Sequence, residues 1–271
     1  MEFNMALTPI YPFTEDKYAE GTGEFVDWAV CQVGTVDIGG QTGWLDHLKA
    51  YGWDIGGEKH DWTKGVSERR RLARDLREAA KGKDAELLAA VNSIVVDWGG
   101  IRKRFSTHEL PGMRASLAAL GESASSETVE WANLYEGRIA SVSKVYEMYD
   151  LSYWTIYDSR VSKALQCLVQ GWWDVSRYDA GENLLRFPLA PAQGDAVKKL
   201  VGFPERTSPD QYKLAFVYAS WLAKAIAERL EVDSTVEQPG EPWYPFHVEM
   251  VMFTLGGLWR HVQTTPLTKA P

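Results

Sequence analysis

The feature that most limits the fold of this chain is a double one. No long alternating apolar–polar run occurs, and from Ser67 onward apolar residues recur at the 3.6-residue interval of a packed helix. The expected class is therefore all-α. Ser67 reads as an N-cap ahead of a helix over 68–81 that stops at Gly82. The next helix, 84–96, puts Leu87, Leu88, Val91, Ile94 and Val95 on one stripe. Shorter helices are expected over 110–120, 126–135 (capped by Ser125 or Ser126), 141–149 and 159–170. Two longer ones, 209–230 and 246–261, flank a Pro-rich turn at 237–245, and a loop rich in Asp, Gly and Pro fills 174–194. Before Ser67, Gly39-Gly40 and Gly56-Gly57 mark turns around helices near 24–32 and 44–51. The 271 residues fit one unit with a shared core. It divides into a segment 1–66 packed on that core, a helical subdomain 67–173 and C-terminal helices 174–271.

The formal net charge of −8 weighs against a nucleic-acid partner unless a local basic face exists. Two clusters offer one: Arg69-Arg70-Arg71 with Arg74 and Arg77, and Arg102-Lys103-Arg104. The first reads as a solvated helix face paired with Glu68, Asp75 and Glu78; the second has no acidic neighbour in sequence before Glu109. Twelve Trp, a high number for this length, suit a core, a stacking surface or a pocket equally. Cys31 and Cys167 lie far apart without a CxxC, so neither a cysteine-ligated cluster nor a disulfide framework is expected. The stretch Met1–Pro12 lacks the pattern of a signal peptide, and no segment is apolar for long enough to cross a bilayer. A cytoplasmic, monomeric protein with no membrane partner is expected. The five histidines form no HExxH, and GxSxG, P-loop and dinucleotide fingerprints are absent, so no metal or other cofactor is expected. Glu249, in the last apolar run, reads as a buried structural partner.

Chemistry concentrates in Gly137-Arg138-Ile139-Ala140-Ser141-Val142-Ser143-Lys144-Val145-Tyr146 and Trp154-Thr155-Ile156-Tyr157-Asp158-Ser159-Arg160-Val161. The pattern is helix, tight connection, helix, extended piece, then an aspartate directly before a new helix. Asp158 can cap that helix by accepting its orphan N–H groups. Taken alone, the pattern allows a purely structural aspartate and a surface lysine.

The arrangement resembles the helix-hairpin-helix (HhH-GPD) DNA glycosylase superfamily. The run Ile156–Val161 with Ala164-Leu165 is similar to its bacterial 8-oxoguanine DNA glycosylase-like branch, which includes anti-phage enzymes. The likeness covers roughly residues 91–165, and His247–Phe253 extends it. It implies a two-subdomain helical fold whose partner is double-stranded DNA, phage DNA with modified bases included. It also implies that a damaged or modified base (8-oxoguanine or a phage-modified cytosine) is flipped out and its N-glycosidic bond hydrolysed, in repair or in defence. Asp158 then stabilises the cationic sugar of the transition state, and Lys144 stands at the position of the Schiff-base lysine of bifunctional members. The family's Pro-Gly-x-Gly hairpin is replaced by Ile139-Ala140-Ser141-Val142, so Ser141 and Ser143 with Arg138, Arg160 and Arg102 are expected to meet phosphates. Lys144 and Asp158 are 14 positions apart, about one turn of ~3.6 residues short of the family spacing, and no efficient lyase step is expected. The expected base pocket is Trp98, Gly99, Gly100, Trp154, Tyr157 and Trp172. Gly99 or Gly100 ends a helix, and the WGG sequence is shared with that branch. Two alternatives stay open: the same fold binding DNA without chemistry, and an unrelated helical protein whose Trp residues form a partner surface.

Overall fold

The computed structural model describes residues 8–9, 17–40, 42–55, 58–126, 128–129, 134–135, 137–175, 190 and 208–259. They are mostly helical: α1 Lys17–Thr35, α2 Trp44–Lys49, α3 Trp62–Lys81, α4 Asp84–Asn92, α5 Leu110–Ser126, α6 Ile139–Tyr149, α7 Ser159–Val175, α8 Pro209–Val232 and α9 Pro245–Leu258. Two short antiparallel ladders accompany them. β1 (Thr8–Pro9) pairs with β4 (Thr128–Val129), and β2 (Trp53–Ile55) pairs with β3 (Glu58–His60). Runs of two or three residues are too short to carry an alternation signal, which is why the sequence does not announce them.

The core sits around α9, whose residues Pro245–Phe253, Leu255 and Gly256 are all buried. A helix apolar on every side must be enclosed, and α9 is: it packs on α7, α8 and α2, while α1 closes on α7 and α8. The second group, α3 to α6, packs on itself through α3 against α4 and α6, and α6 also touches α8. Gly256 sets the distance between α9 and the start of α7, since a Cβ there would lie 1.9 Å from the Arg160 carbonyl oxygen. Only glycine allows that approach, and it fixes where α7 begins.

Several helix limits differ from expectation, each for a local reason. The N-cap of α3 is Asp61, whose carboxylate accepts from the Lys64 amide at 2.8 Å. Ser67 lies inside the helix and donates to the Thr63 carbonyl instead. Ser125 and Ser126 end α5, and Thr128–Val129 are strand, so the expected helix over 126–135 does not form among the described residues. The Tyr135 amide there donates to the Tyr146 hydroxyl at 3.0 Å. α4 continues into a wider π-helical turn, Ser93–Trp98, with the Gly99 amide bonded five residues back to Ile94. Gly39 and Gly40 occupy a turn with positive φ as expected. Gly56-Gly57, most of the expected loop 174–194, and 260–261 lie outside the described residues.

Candidate functional site

Asp158 immediately precedes α7 and caps it: Oδ1 accepts from the Arg160 and Val161 amides at 2.9 and 3.1 Å. The cap leaves Oδ2 free to face elsewhere, and it lies 3.6 Å from Nζ of Lys144 on α6. Both side chains are largely enclosed, Lys144 at 4% and Asp158 at 14% exposure. The 14-position spacing therefore does not separate them. A turn at Asp150–Tyr153 and an extended run to Tyr157 return the chain to the first half of α6.

The pair forms the floor of a cleft of about 350 Å³ lined by Trp53, Gly99–Ile101, Arg138–Ser141, Lys144, Asp158–Arg160 and Phe253. Two helix N-termini converge here. α7 is capped by Asp158, while α6 starts at Arg138 without a side-chain cap, so its first amides and positive dipole end are open to an anion. Arg138, Ser141, Lys144, Ser159 and Arg160 supply donors, and Asp158 is the one carboxylate in the lining. Arg138 Nη1 holds the Lys103 carbonyl at 3.2 Å, tying the exposed run Arg102-Lys103-Arg104 to the mouth beside Ile101. Among the described residues, Arg104 alone of the three has an acidic contact, Asp97 at 3.8 Å. Aromatic faces come from Trp53 and Phe253, 5.0 Å apart and edge-on, with the Arg160 guanidinium 4.3 Å over Phe253.

The structure thus brings together Asp158, Lys144, Arg138, Ser141, Arg160, Gly99 and Gly100, with Arg102 at the rim. It corrects the other expected positions. Trp154 and Tyr157 are fully buried, Trp154 stacked on Phe216 at 5.5 Å, and Trp172 packs edge-on against Phe25. Trp154 and Tyr157 are core because the extended run before Asp158 is covered by α8, and Trp172 because α7 packs on α1. Ser143 is buried, and its hydroxyl accepts the Tyr157 amide at 3.0 Å, so it shapes the return to Asp158 and does not reach the cleft. Trp98 lies behind the wall, its ring 6.0 Å from Lys144 Nζ and its carbonyl accepting Trp53 Nε1 at 2.7 Å. Trp53, Ile101 and Phe253 were not anticipated. Phe253 sits in the run His247–Phe253, a signal already present; Trp53 has none.

Beneath the floor lies a buried ionic cluster. Arg69 of α3 donates to Glu147 of α6 (3.2 Å), Glu249 of α9 (2.6 Å) and the Tyr51 hydroxyl (3.2 Å). All three charged residues are at most 1% exposed. Arg69 is thus no part of a solvated face, whereas Arg71 does pair with Glu68 and Asp75, and Arg70 reaches Glu241. Burial pushes Glu147 upward and Glu249 up to about 8, with Arg69 opposing in both cases. Glu249 is a buried structural partner, as expected.

Gly99 is the close-packed glycine of the pair: a Cβ there would sit 2.8 Å from the Ile94 and Val95 carbonyls and from Cδ of Lys144. Gly100 has open space but φ +66, the left-handed conformation that ends the helix. Gly99→Leu should therefore displace Lys144 and reduce activity at the cleft by at least tenfold, read as turnover or ligand affinity. Unchanged function in a folded Gly99→Leu protein would show that the wall does not set the lysine's position.

No protein-family model, curated protein or solved structure matches this chain.

Proposed function

We propose that the protein is a DNA glycosylase of the helix-hairpin-helix type that flips a damaged or modified base and hydrolyses its N-glycosidic bond. The observation that carries this reading is the Lys144–Asp158 contact at the base of a donor-rich cleft opened by two helix N-termini. Cleavage at C1′ builds positive charge on the sugar, and a fixed carboxylate stabilises it without reorganisation. Asp158 is fixed twice, by the α7 amides on Oδ1 and by Lys144 beside Oδ2. A water directed by Oδ2 adds its oxygen to C1′ as the C1′–N bond breaks. The base leaves with the bonding pair and takes up a proton, and an abasic site remains. The amides of α6, Arg138, Arg160 and the rim Arg102–Arg104 suit the phosphates on either side. Trp53 and Phe253 offer the apolar surface an extruded base needs to offset its lost stacking. The direct test is incubation with duplexes carrying defined bases, 8-oxoguanine and glucosylated hydroxymethylcytosine among them, with mass spectrometry of the released base. Release of no base from any duplex would refute the reading.

Lys144 is engaged with the Asp158 carboxylate at 3.6 Å, which favours hydrolysis over imine formation in this reading. Borohydride should trap the protein on DNA only inefficiently, and Lys144→Ala should retain measurable base release. Efficient trapping that disappears in Lys144→Ala would make the lysine the nucleophile.

A further inference from the structure

We infer that Glu147 and Glu249, clamped on Arg69, share one proton and act as positioning residues that keep Lys144 directed at Asp158. The inference rests on the glycosylase reading for its kinetic consequence, and on the geometry of the cluster alone for the proton.

The cluster and the cleft floor form one buried set of ionisable groups. It holds two cations, Arg69 and Lys144, and three carboxyl groups, Glu147, Glu249 and Asp158. Asp158 has Lys144 as its partner. Glu147 and Glu249 have a single guanidinium between them, and among the described residues Oε1 of Glu147 is buried and makes no hydrogen bond, although the Ile156 backbone amide favours its charged form. An unbalanced charge in such a place is expensive, and a carboxyl group responds by keeping its proton. Among the described residues, nothing else nearby supplies a positive charge. Tyr51 faces Arg69 as a neutral phenol held up at about 12, and burial drives the His247 imidazole, on the α9 side, down to about 3. Arg70, which also faces His247, is engaged by Glu241.

Lys144 sits between the two ends of this set. Glu147 follows it by three positions on α6, on the same helix face. Both glutamates feel its charge, and Glu249 feels that of Asp158 as well. While the proton is present, Arg69 satisfies the glutamates and Lys144 keeps its contact with Asp158. Removing the proton leaves one uncompensated negative charge about one helical turn from the ammonium, which then divides between Glu147 and Asp158. Asp158 loses the contact that fixes Oδ2. The sign of the stability effect is the same: a carboxyl raised in the folded state contributes stability below its ordinary value of about 4.5, and that contribution is lost as pH rises through about 8.

The test compares wild type, Glu249→Gln and Glu147→Gln, in which the amide stands in for the protonated carboxyl. Two quantities are followed from pH 6 to 10: single-turnover base release, each profile normalised to its own maximum, and the thermal midpoint. In wild type the rate should fall above about pH 8, by about tenfold per pH unit, while the midpoint should fall as pH rises toward about 8 and level off above it. At least one Gln variant should lose both declines or move them upward by a full pH unit. A fall in rate and midpoint that stays at the wild-type pH in both variants overturns the inference. If no base is released by any protein while the midpoint decline still disappears in a Gln variant, the shared proton stands and the glycosylase reading fails. A midpoint decline unmoved in both variants rejects the shared proton whatever the rates show.

Discussion

Asp158→Asn should cut base release by about 100- to 1000-fold while leaving the fold and DNA affinity nearly intact. On the glycosylase reading, the substitution separates two roles of one side chain, the helix cap and the catalytic charge. Asn is as good an N-cap as Asp, and its amide oxygen can accept the same Arg160 and Val161 amides that Oδ1 does now, so α7 keeps its start. What disappears is the partner of Lys144 at 3.6 Å and the negative charge that the proposed mechanism uses at C1′. Single-turnover kinetics on a cleavable duplex measure the first, and a melt together with a binding isotherm measures the second. Asp158→Ala should show both losses, adding about 1 kcal/mol of missing cap. Base release by Asp158→Asn within threefold of wild type would reduce Asp158 to a structural cap and leave the DNA-binding alternative standing.

The helical class and the run from Gly137 to Val161 are legible in the sequence because they depend on local rules. The 3.6-residue period, Gly82 as a stop and an aspartate ahead of Ser159 need no knowledge of the partner helices. The cleft is legible only in part. Asp158, Lys144, Arg138 and Arg160 follow from motif and capping chemistry, but the aromatic lining does not. Trp154, Tyr157 and Trp172 are near Asp158 in sequence and read as pocket, yet α8 and α1 cover them, and only tertiary packing could reveal that. Trp53 comes from a three-residue strand far upstream and is brought in by its indole bond to the Trp98 carbonyl. The expected helix over 126–135 does not form among the described residues for a related reason. Its start depended on Ser125 or Ser126 acting as a cap, and α5 runs through both, since caps are weak signals beside a helix whose apolar face is already packed.

The buried cluster was written in the sequence in a form that composition obscures. Val66, Leu72, Ala73 and Leu76 make the buried stripe of α3, and Arg69 occupies the next position of the same stripe, not the opposite face shared by Arg71 and Arg74. Glu249 likewise interrupts an otherwise apolar α9. A charge on an apolar stripe demands a partner on another stripe, and each of these residues is the other's answer.

The size of that mutual dependence gives the second large effect. Arg69→Met should destabilise the protein by about 3–5 kcal/mol, because it leaves two buried carboxyls with no cation between them. For a chain of this length that lowers the thermal midpoint by on the order of 10 °C. The loss should be smaller at pH 5 than at pH 9, since both glutamates are already raised by burial and, without Arg69, can escape their charge by protonation at the lower pH. Volume is not the cause: Met fills much of the space of the Arg stem, so a cavity contributes little. The decisive comparison is the triple replacement Arg69→Met, Glu147→Leu, Glu249→Leu, which exchanges the whole cluster for apolar groups of similar size. Well-packed replacements of buried ion clusters are commonly neutral or stabilising, so the triple variant should recover most of the lost midpoint. A triple variant as unstable as Arg69→Met would show that the stability came from shape and hydrogen bonding in the cluster, and not from balanced charge.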